Sequence, residues 1–240
     1  NVLERYGIPA FLNRRSDLLE KPPLVLLTSA LEAVTGGFEY EDVFRYLKTG
    51  LAGITPEECD QLENYVICWD LRGNAWLRDT PWTANPGGYG VAFDQRQQET
   101  LQQVNHLKDR VREPLLFLSR GLKEECTARG KTQVLYEFME QLRLPQALEE
   151  KQLWLQRQGE LRLAEEYAQV WQILCDVMDQ FVGILGEREL PAEEFSKLFR
   201  LILTQYSVGT IPAALDQVNV TEISRNDRHT VRHLFLLGAN

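Results

Sequence analysis

From Asp94 onward the apolar residues of this 240-residue chain return at intervals of three and four, a spacing that only helices satisfy over such a length. Leu101, Val104, Leu107, Val111, Leu115, Leu118 and Leu122 make one stripe, with Pro114 placed to kink it. Val134, Leu135, Phe138, Met139 and Leu142 make a second, which ends before Pro145. The broadest runs from Leu163 through Tyr167, Val170, Trp171, Leu174, Val177, Met178 and Phe181 to Leu185. Gly186 and Pro191 separate it from a last helix carrying Phe195, Leu198, Phe199, Ile202 and Leu203. Upstream, Pro22 and Pro23 open a helix that the Gly36-Gly37 pair closes, and its apolar residues lie nearly all round, so it should be buried. A short helix is expected over Glu41 to Thr49. Another starts at Thr55-Pro56, with Glu57 and Glu58 near its positive end, and continues through Leu62, Tyr65, Val66 and Trp69.

Residues 79–90, "DTPWTANPGGYG", are rich in turn formers and read as an ordered loop. Only the two ends look extended: "IPAFL" near residue 10, "DQVNV" from Asp216 and "HLFLL" from His233. The expected fold is therefore mainly α: a helical block inserted between strands of one shared β-containing domain.

Composition narrows the function classes. Hydrophobic content of 44% and charged content of 25% suit a globular chain. A net charge of −9 is unlike that of a strongly DNA-binding stand-alone domain, because Lys and Arg supply most non-specific nucleic-acid affinity. Cys59, Cys68, Cys126 and Cys175 are widely scattered with no C-x-x-C pair, which reads as reduced, mainly buried thiols in a cytoplasmic protein. The longest near-continuous apolar stretch, Pro22 to Ala30, is short of the roughly 20 residues that span a bilayer, so no membrane partner is expected. A first residue other than Met and an apolar closing run read as a piece of a longer chain.

Several motifs invite a chemical reading. "TARGKTQV", Thr127 to Val134, ends like a phosphate-binding loop, but Glu125 stands where the first Gly is needed and a helix precedes it. "NPGGYG" lacks an adjacent Lys-Ser/Thr and reads as a turn. His106, His229 and His233 have no nucleophile setting, and Glu165 with Glu166 reads as a solvated helix face. Positive charge clusters at Arg14, Arg15 and Lys21, at Arg72 and Arg78 beside Trp76 and Trp82, and at Arg225, Arg228 and Arg232. Arg beside an aromatic ring is the composition of a single-strand stacking platform; the other reading makes Trp69 and Trp76 core anchors and the arginines surface ion-pair partners.

"ERYGIPAFLN", "YEDVFRYLKTGL", "LENYVICWDLRGNAW", "LDQVNV" and "LFLLGAN" occur in this order across essentially the whole chain. Together they resemble the B subunit of the bacterial AddAB helicase-nucleases. The resemblance implies double-strand break processing for recombinational DNA repair by a helicase-like body with a C-terminal nuclease. It also implies an AddA-type partner subunit, and ATP, Mg and an iron–sulfur cluster held largely outside this segment, so that no catalytic, cofactor or metal residue is assigned here. On that pattern residues 1–20 and 208–240 are strand-bearing edges of a second helicase-like core domain. Residues 21–207 are a helical insertion like the accessory domain of superfamily-1 helicases. After "LDQVNV" the family shows a Gly and then an Asp/Glu-Arg-x-Arg run. Here Thr221 and Ser224 replace expected residues, Arg225 keeps the first Arg, and Asp227 or Arg228 takes the second place. The candidate DNA contacts are Arg72, Trp76, Arg225 and Arg228, in a non-catalytic module that shapes a DNA channel; the alternative is a protein-docking scaffold.

Overall fold

A computed structural model describes residues 6, 8, 10–12, 18–205, 218–220, 233, 235 and 236. The chain divides into two compact units, Asn1–Arg15 with Gly209–Asn240, and Ser16–Val208. In the first, β1 (Ala10–Leu12) and β2 (Val218–Val220) pair in parallel, Ala10 opposite Val218 and Leu12 opposite Val220. Of the third extended segment His233, Phe235 and Leu236 are described, and these three are exposed and carry no strand, while Leu234 and Leu237 lie outside the described residues. An apolar run becomes a strand only through ladder hydrogen bonds, and composition does not supply those.

The second unit is helical. After a 3-10 turn at Leu18–Glu20 come α1 (Pro22–Gly36), α2 (Tyr40–Leu47), α3 (Pro56–Cys68), the single turn α4 (Asn74–Leu77) and α5 (Gln95–Glu124). Then follow α6 (Ala128–Gln141), α7 (Leu144–Arg157), α8 (Leu161–Leu185) and α9 (Ala192–Leu203). Helix α1 packs on α2, α5 and α9; α7 and α8 pair with each other, and α6 bridges α5 to α8. The apolar girth of α1 explains its central place. Leu24, Leu26, Leu27, Ala30 and Leu31 are all within 1% of complete burial, which a one-sided helix could not achieve.

Local chemistry sets most boundaries. Pro22 and Pro23 fix the first turn of α1, and Gly37 closes it at φ 87°, the left-handed region. Thr55 and Glu58 form a capping box on α3: the Glu58 amide donates to Thr55 Oγ1 (3.2 Å) and the Thr55 amide to Glu58 Oε2 (2.9 Å). The Thr55 amide, joined by the Arg110 guanidinium, holds the Glu58 carboxyl below its ordinary pKa. Thr55→Ala should lower unfolding free energy by about 1 kcal/mol in urea titrations. Because Glu58 is depressed, its contribution is present above pH 4.5 and is lost as pH falls through the folded value.

Two elements lie beyond the expected set. The single turn α4 is too short for any periodicity. Helix α7 buries only Leu144, Leu148 and Leu155, a stripe too sparse to read from spacing, and its place is decided by α8 packing along it. Helix α5 runs through Pro114 as one element, capped at its start by Asp94 accepting from the Gln97 amide (2.9 Å).

Tyr46 is fully buried against Phe138, and its hydroxyl has no hydrogen-bond partner among the described residues. Burial raises its pKa, and raises that of Tyr65 to about 12. Folded tyrosines therefore keep protons that unfolded ones release above pH 10.0, so their stabilising contribution is whole below pH 10.0 and fades as pH climbs toward the folded values. Tyr46→Phe should gain up to about 1 kcal/mol at neutral pH and delay alkaline unfolding; a loss above that size would show that the hydroxyl is bonded.

Candidate nucleic-acid interface

The phosphate-loop look-alike is consumed by the fold. At the start of α6 the Ala128 and Arg129 amides donate to Arg188 and Gly186 carbonyls (2.8 and 3.0 Å), and the Gly130 amide to Thr127 Oγ1 (3.1 Å). These are the orphan donors that an anion would need. Lys131 is buried, and its ammonium donates to the carbonyls of Leu122 and Glu125, capping the end of α5. Thr132 Oγ1 donates to the Ala128 carbonyl (2.8 Å). These residues do not fit a nucleotide. Nor do the described residues offer three or more His, Cys, Asp or Glu side chains grouped to hold a metal. Cys59 is buried, Cys175 half-buried, and Cys68 and Cys126 exposed, all as free thiols. A cluster-type cofactor finds no fit among them.

The Arg72–Trp76 segment is built on a turn. Gly73 adopts φ 57° and ψ −120°, a conformation closed to side chains, and its amide donates to the Phe38 carbonyl (3.1 Å). That turn drops Trp76 into the core at 1% exposure, edge-on to Phe44 and Trp82 (centroids 6.3 and 5.2 Å). Trp76 is thus placed as a core anchor, with no open ring face. Arg72 is exposed and pairs with Asp70 at 2.8 Å. Trp69 is half-buried, with Nε1 donating to the Asn85 carbonyl (3.1 Å) and its ring against Tyr89 at 4.7 Å. Arg225, Arg228, Arg232 and His229 lie outside the described residues, so their placement relative to Arg72 is not described.

The 79–90 loop is held by one face of α5, which sequence reasoning did not single out. Asn105 clasps the backbone of Trp82, accepting from its amide (2.7 Å) and donating to its carbonyl (2.9 Å). One turn on, the buried Lys108 ammonium donates to the Arg78 and Thr80 carbonyls (3.0 and 2.8 Å) and sits 5.3 Å over the Trp82 ring. Arg112 completes the row, donating to the Leu77 carbonyl (3.1 Å) and Asp79 (3.0 Å). The spacing of three and four that marks a helix face carries polar clamps here as well as core residues. Within the loop, Asn85 accepts from the Gly87 amide (3.0 Å) and donates to the Val91 carbonyl (2.8 Å), so "NPGGYG" is a turn. Tyr89, Val91 and Phe93 at its end are exposed to solvent.

Glu165 is exposed as expected, but Glu166 corrects the reading of that pair. It is 4% exposed and ion-paired with Lys21, which ties the start of α1 to α8 across 145 positions of sequence. His106 lies exposed on α5, and His233 is exposed.

Aromatic and cationic side chains do meet elsewhere. A groove of about 880 Å³ runs between α7 and the α2–α3 loop, with Thr49, Gly50 and Leu51 on one wall and Lys151, Trp154 and Arg157 on the other. Trp154 is half exposed, and the Lys151 ammonium lies 4.3 Å from its ring centroid. The second groove, about 650 Å³ beside α5, is acidic: Asp79, Glu113, Glu124, Glu125 and Glu137 outnumber Arg112 and Arg120. The K-x-x-W-x-x-R spacing at residues 151–157 was the available signal, missed because that helix was missed.

The described fold defines a class: a helical unit stitched by buried polar clamps, in a chain whose other unit contains a parallel strand pair. The chain is 36% identical over its whole length to the B subunit of the ATP-dependent helicase/deoxyribonuclease of Clostridium kluyveri and to that of Clostridium botulinum strain Hall. It is 35% identical to the corresponding protein of Caldanaerobacter subterraneus subsp. tengcongensis, again along its full length. No family model matches it. The chain is homologous from end to end to a segment of the B subunit of ATP-dependent helicase/deoxyribonucleases, and it spans about a fifth (21%) of the length of the curated relatives it matches.

Proposed function

We propose that this chain is a non-catalytic module of a helicase/deoxyribonuclease subunit, serving double-strand break processing and recombinational repair, and that its helical unit lines part of the path of the DNA. The observation that supports the reading is a homology to DNA-processing subunits that covers every part of the chain. The look-alike nucleotide site, meanwhile, spends its lysine and amides on helix capping. The parent would hold ATP, Mg and an iron–sulfur cluster in its other regions, pair with an AddA-type subunit and work in the cytoplasm; residues 208–240 and 1–20 would edge a helicase-like core. Arg72, Arg225 and Arg228 remain the phosphate-contact candidates from the sequence. Among the described residues no helix is long and apolar enough to cross a membrane. The purified chain should bind single-stranded DNA weakly and lose that binding between about 50 and 200 mM salt. It should hydrolyse neither ATP nor DNA. Absence of binding at the lower salt overturns the DNA-path reading, and hydrolysis lost on point mutation overturns the non-catalytic one.

One observation favours docking as a second reading. Tyr89, Val91 and Phe93 are exposed large apolar side chains close together in sequence, on the connection into α5 whose start Asn105, Lys108 and Arg112 clamp. Tyr89→Asp with Phe93→Asp should then weaken association with the remainder of the subunit at least tenfold in a pull-down titration while leaving DNA binding by the chain unchanged.

A further inference from the structure

We propose that the groove between α7 and the α2–α3 loop is a contact site for single-stranded nucleic acid, in which Trp154 stacks on a base and Lys151 and Arg157 take the neighbouring phosphates. The inference rests on the DNA-path reading above and gives it a location that neither the sequence candidates nor the homology supplies.

Three observations carry it. First, Trp154 keeps 50% of its surface exposed, whereas Trp76 and Trp82 are enclosed; a large aromatic residue left half exposed forgoes burial that a core position would give it. Second, charge surrounds it asymmetrically. In a chain of net charge −9 this groove is lined by two cations, Lys151 and Arg157, against the single carboxylate of Glu150. The groove beside α5 has five carboxylates against two arginines, so of these two grooves it is the one at Trp154 that attracts an anion. Third, the cations are free to serve. Arg45, Arg110 and Arg112 are each tied to carboxylates, but Lys151 and Arg157 make no ion pair among the described residues, and Lys151 rests on the indole. Residues 151, 154 and 157 follow one another at steps of about 4.5 Å along the helix axis, turning by about 60° at each step, so ring and cations share one face. A half-open ring between cations in a shallow groove is the arrangement that binds single strands without sequence preference. An acidic peptide is the competing occupant; it would use the same cations but gains little from a stacking surface.

The test uses the full chain, a fluorescein-labelled 20-nucleotide oligothymidylate and anisotropy at 50 mM salt. Trp154→Ala should weaken binding roughly 5- to 10-fold while Trp154→Phe keeps most of it. Lys151→Gln with Arg157→Gln should weaken it at least tenfold and flatten the slope of log K against log salt by about 0.7 per cation removed. A 5-iodouracil oligonucleotide should photo-crosslink within residues 151–157, a readout independent of whether Trp154→Ala folds. Wild-type binding that these variants leave unchanged, with cross-links elsewhere, overturns this site while the DNA-path reading stands. No wild-type binding overturns both. Binding of polyglutamate in place of the oligonucleotide, lost in the same variants, makes the groove a protein dock and also overturns the proposal.

Discussion

Trp76→Ala is expected to destabilise the helical unit by about 3–5 kcal/mol, enough to consume a large part of a domain's stability, whereas Arg72→Ala should leave its melting temperature unchanged. The two residues stand four apart in the sequence and were candidates for one surface, yet burial separates them. Trp76 has 1% of its surface exposed and holds Phe44 and Trp82 edge-on, so truncation opens a cavity among α2, α4 and the loop on α5. Arg72 keeps its side chain in solvent with Asp70 as a partner, where ion pairs add little. Urea denaturation followed by circular dichroism measures both. A Trp76→Ala protein with wild-type stability and weakened DNA binding would restore that ring to a surface role.

The second large effect is expected at Lys108. Lys108→Met keeps the length and apolar stem of the side chain but withdraws the ammonium from the Arg78 and Thr80 carbonyls, at a cost of about 2–4 kcal/mol for two charge-assisted bonds. The loss falls on the loop rather than on the whole unit. Arg78 is exposed, so limited trypsin digestion should cut after it at least tenfold faster in the variant, the loop opening more often at unchanged protease concentration. The pH signature separates the clamp from simple packing. Burial lowers the Lys108 pKa from 10.5, so the unfolded chain binds the extra proton between the folded value and 10.5, and wild-type stability rises with pH through that window. Lys108→Met should make that rise shallower, leaving the share due to Lys131, whose pKa burial also lowers, against the decline above pH 10.0 that the raised tyrosines impose.

These two sites show where sequence reading stops. Asp94, Thr55 and Gly37 act locally, each satisfying backbone groups within three or four residues, so the starts of α3 and α5 and the end of α1 could be placed from spacing alone, whereas the apolar stripe of α6 begins only beyond Gly130 and does not mark the Thr127 cap. The motif-like Gly-Lys-Thr could be discounted for lack of the first glycine. That Lys131 instead closes α5 depends on which carbonyls lie nearby. The Arg-aromatic pairing legible in the sequence falls at Arg72 and Trp76, where the fold hides the ring; an exposed ring beside a cation sits on α7, whose three buried leucines make too thin a stripe to announce a helix.

By itself the sequence determined that the chain is helical over most of its length, where several helices begin and end, and which family of subunits it resembles. Those properties come from periodicity, caps and ordered motifs, all of which act over a few residues or are read directly as strings. Only the tertiary structure decided which tryptophans are walls of the core and which one faces a groove, and that Lys21 meets Glu166 from 145 residues away. It also decided that three polar residues of α5 fasten a loop. Burial and partner choice are set by what the rest of the chain brings alongside, and a residue's own neighbours in sequence do not contain that information.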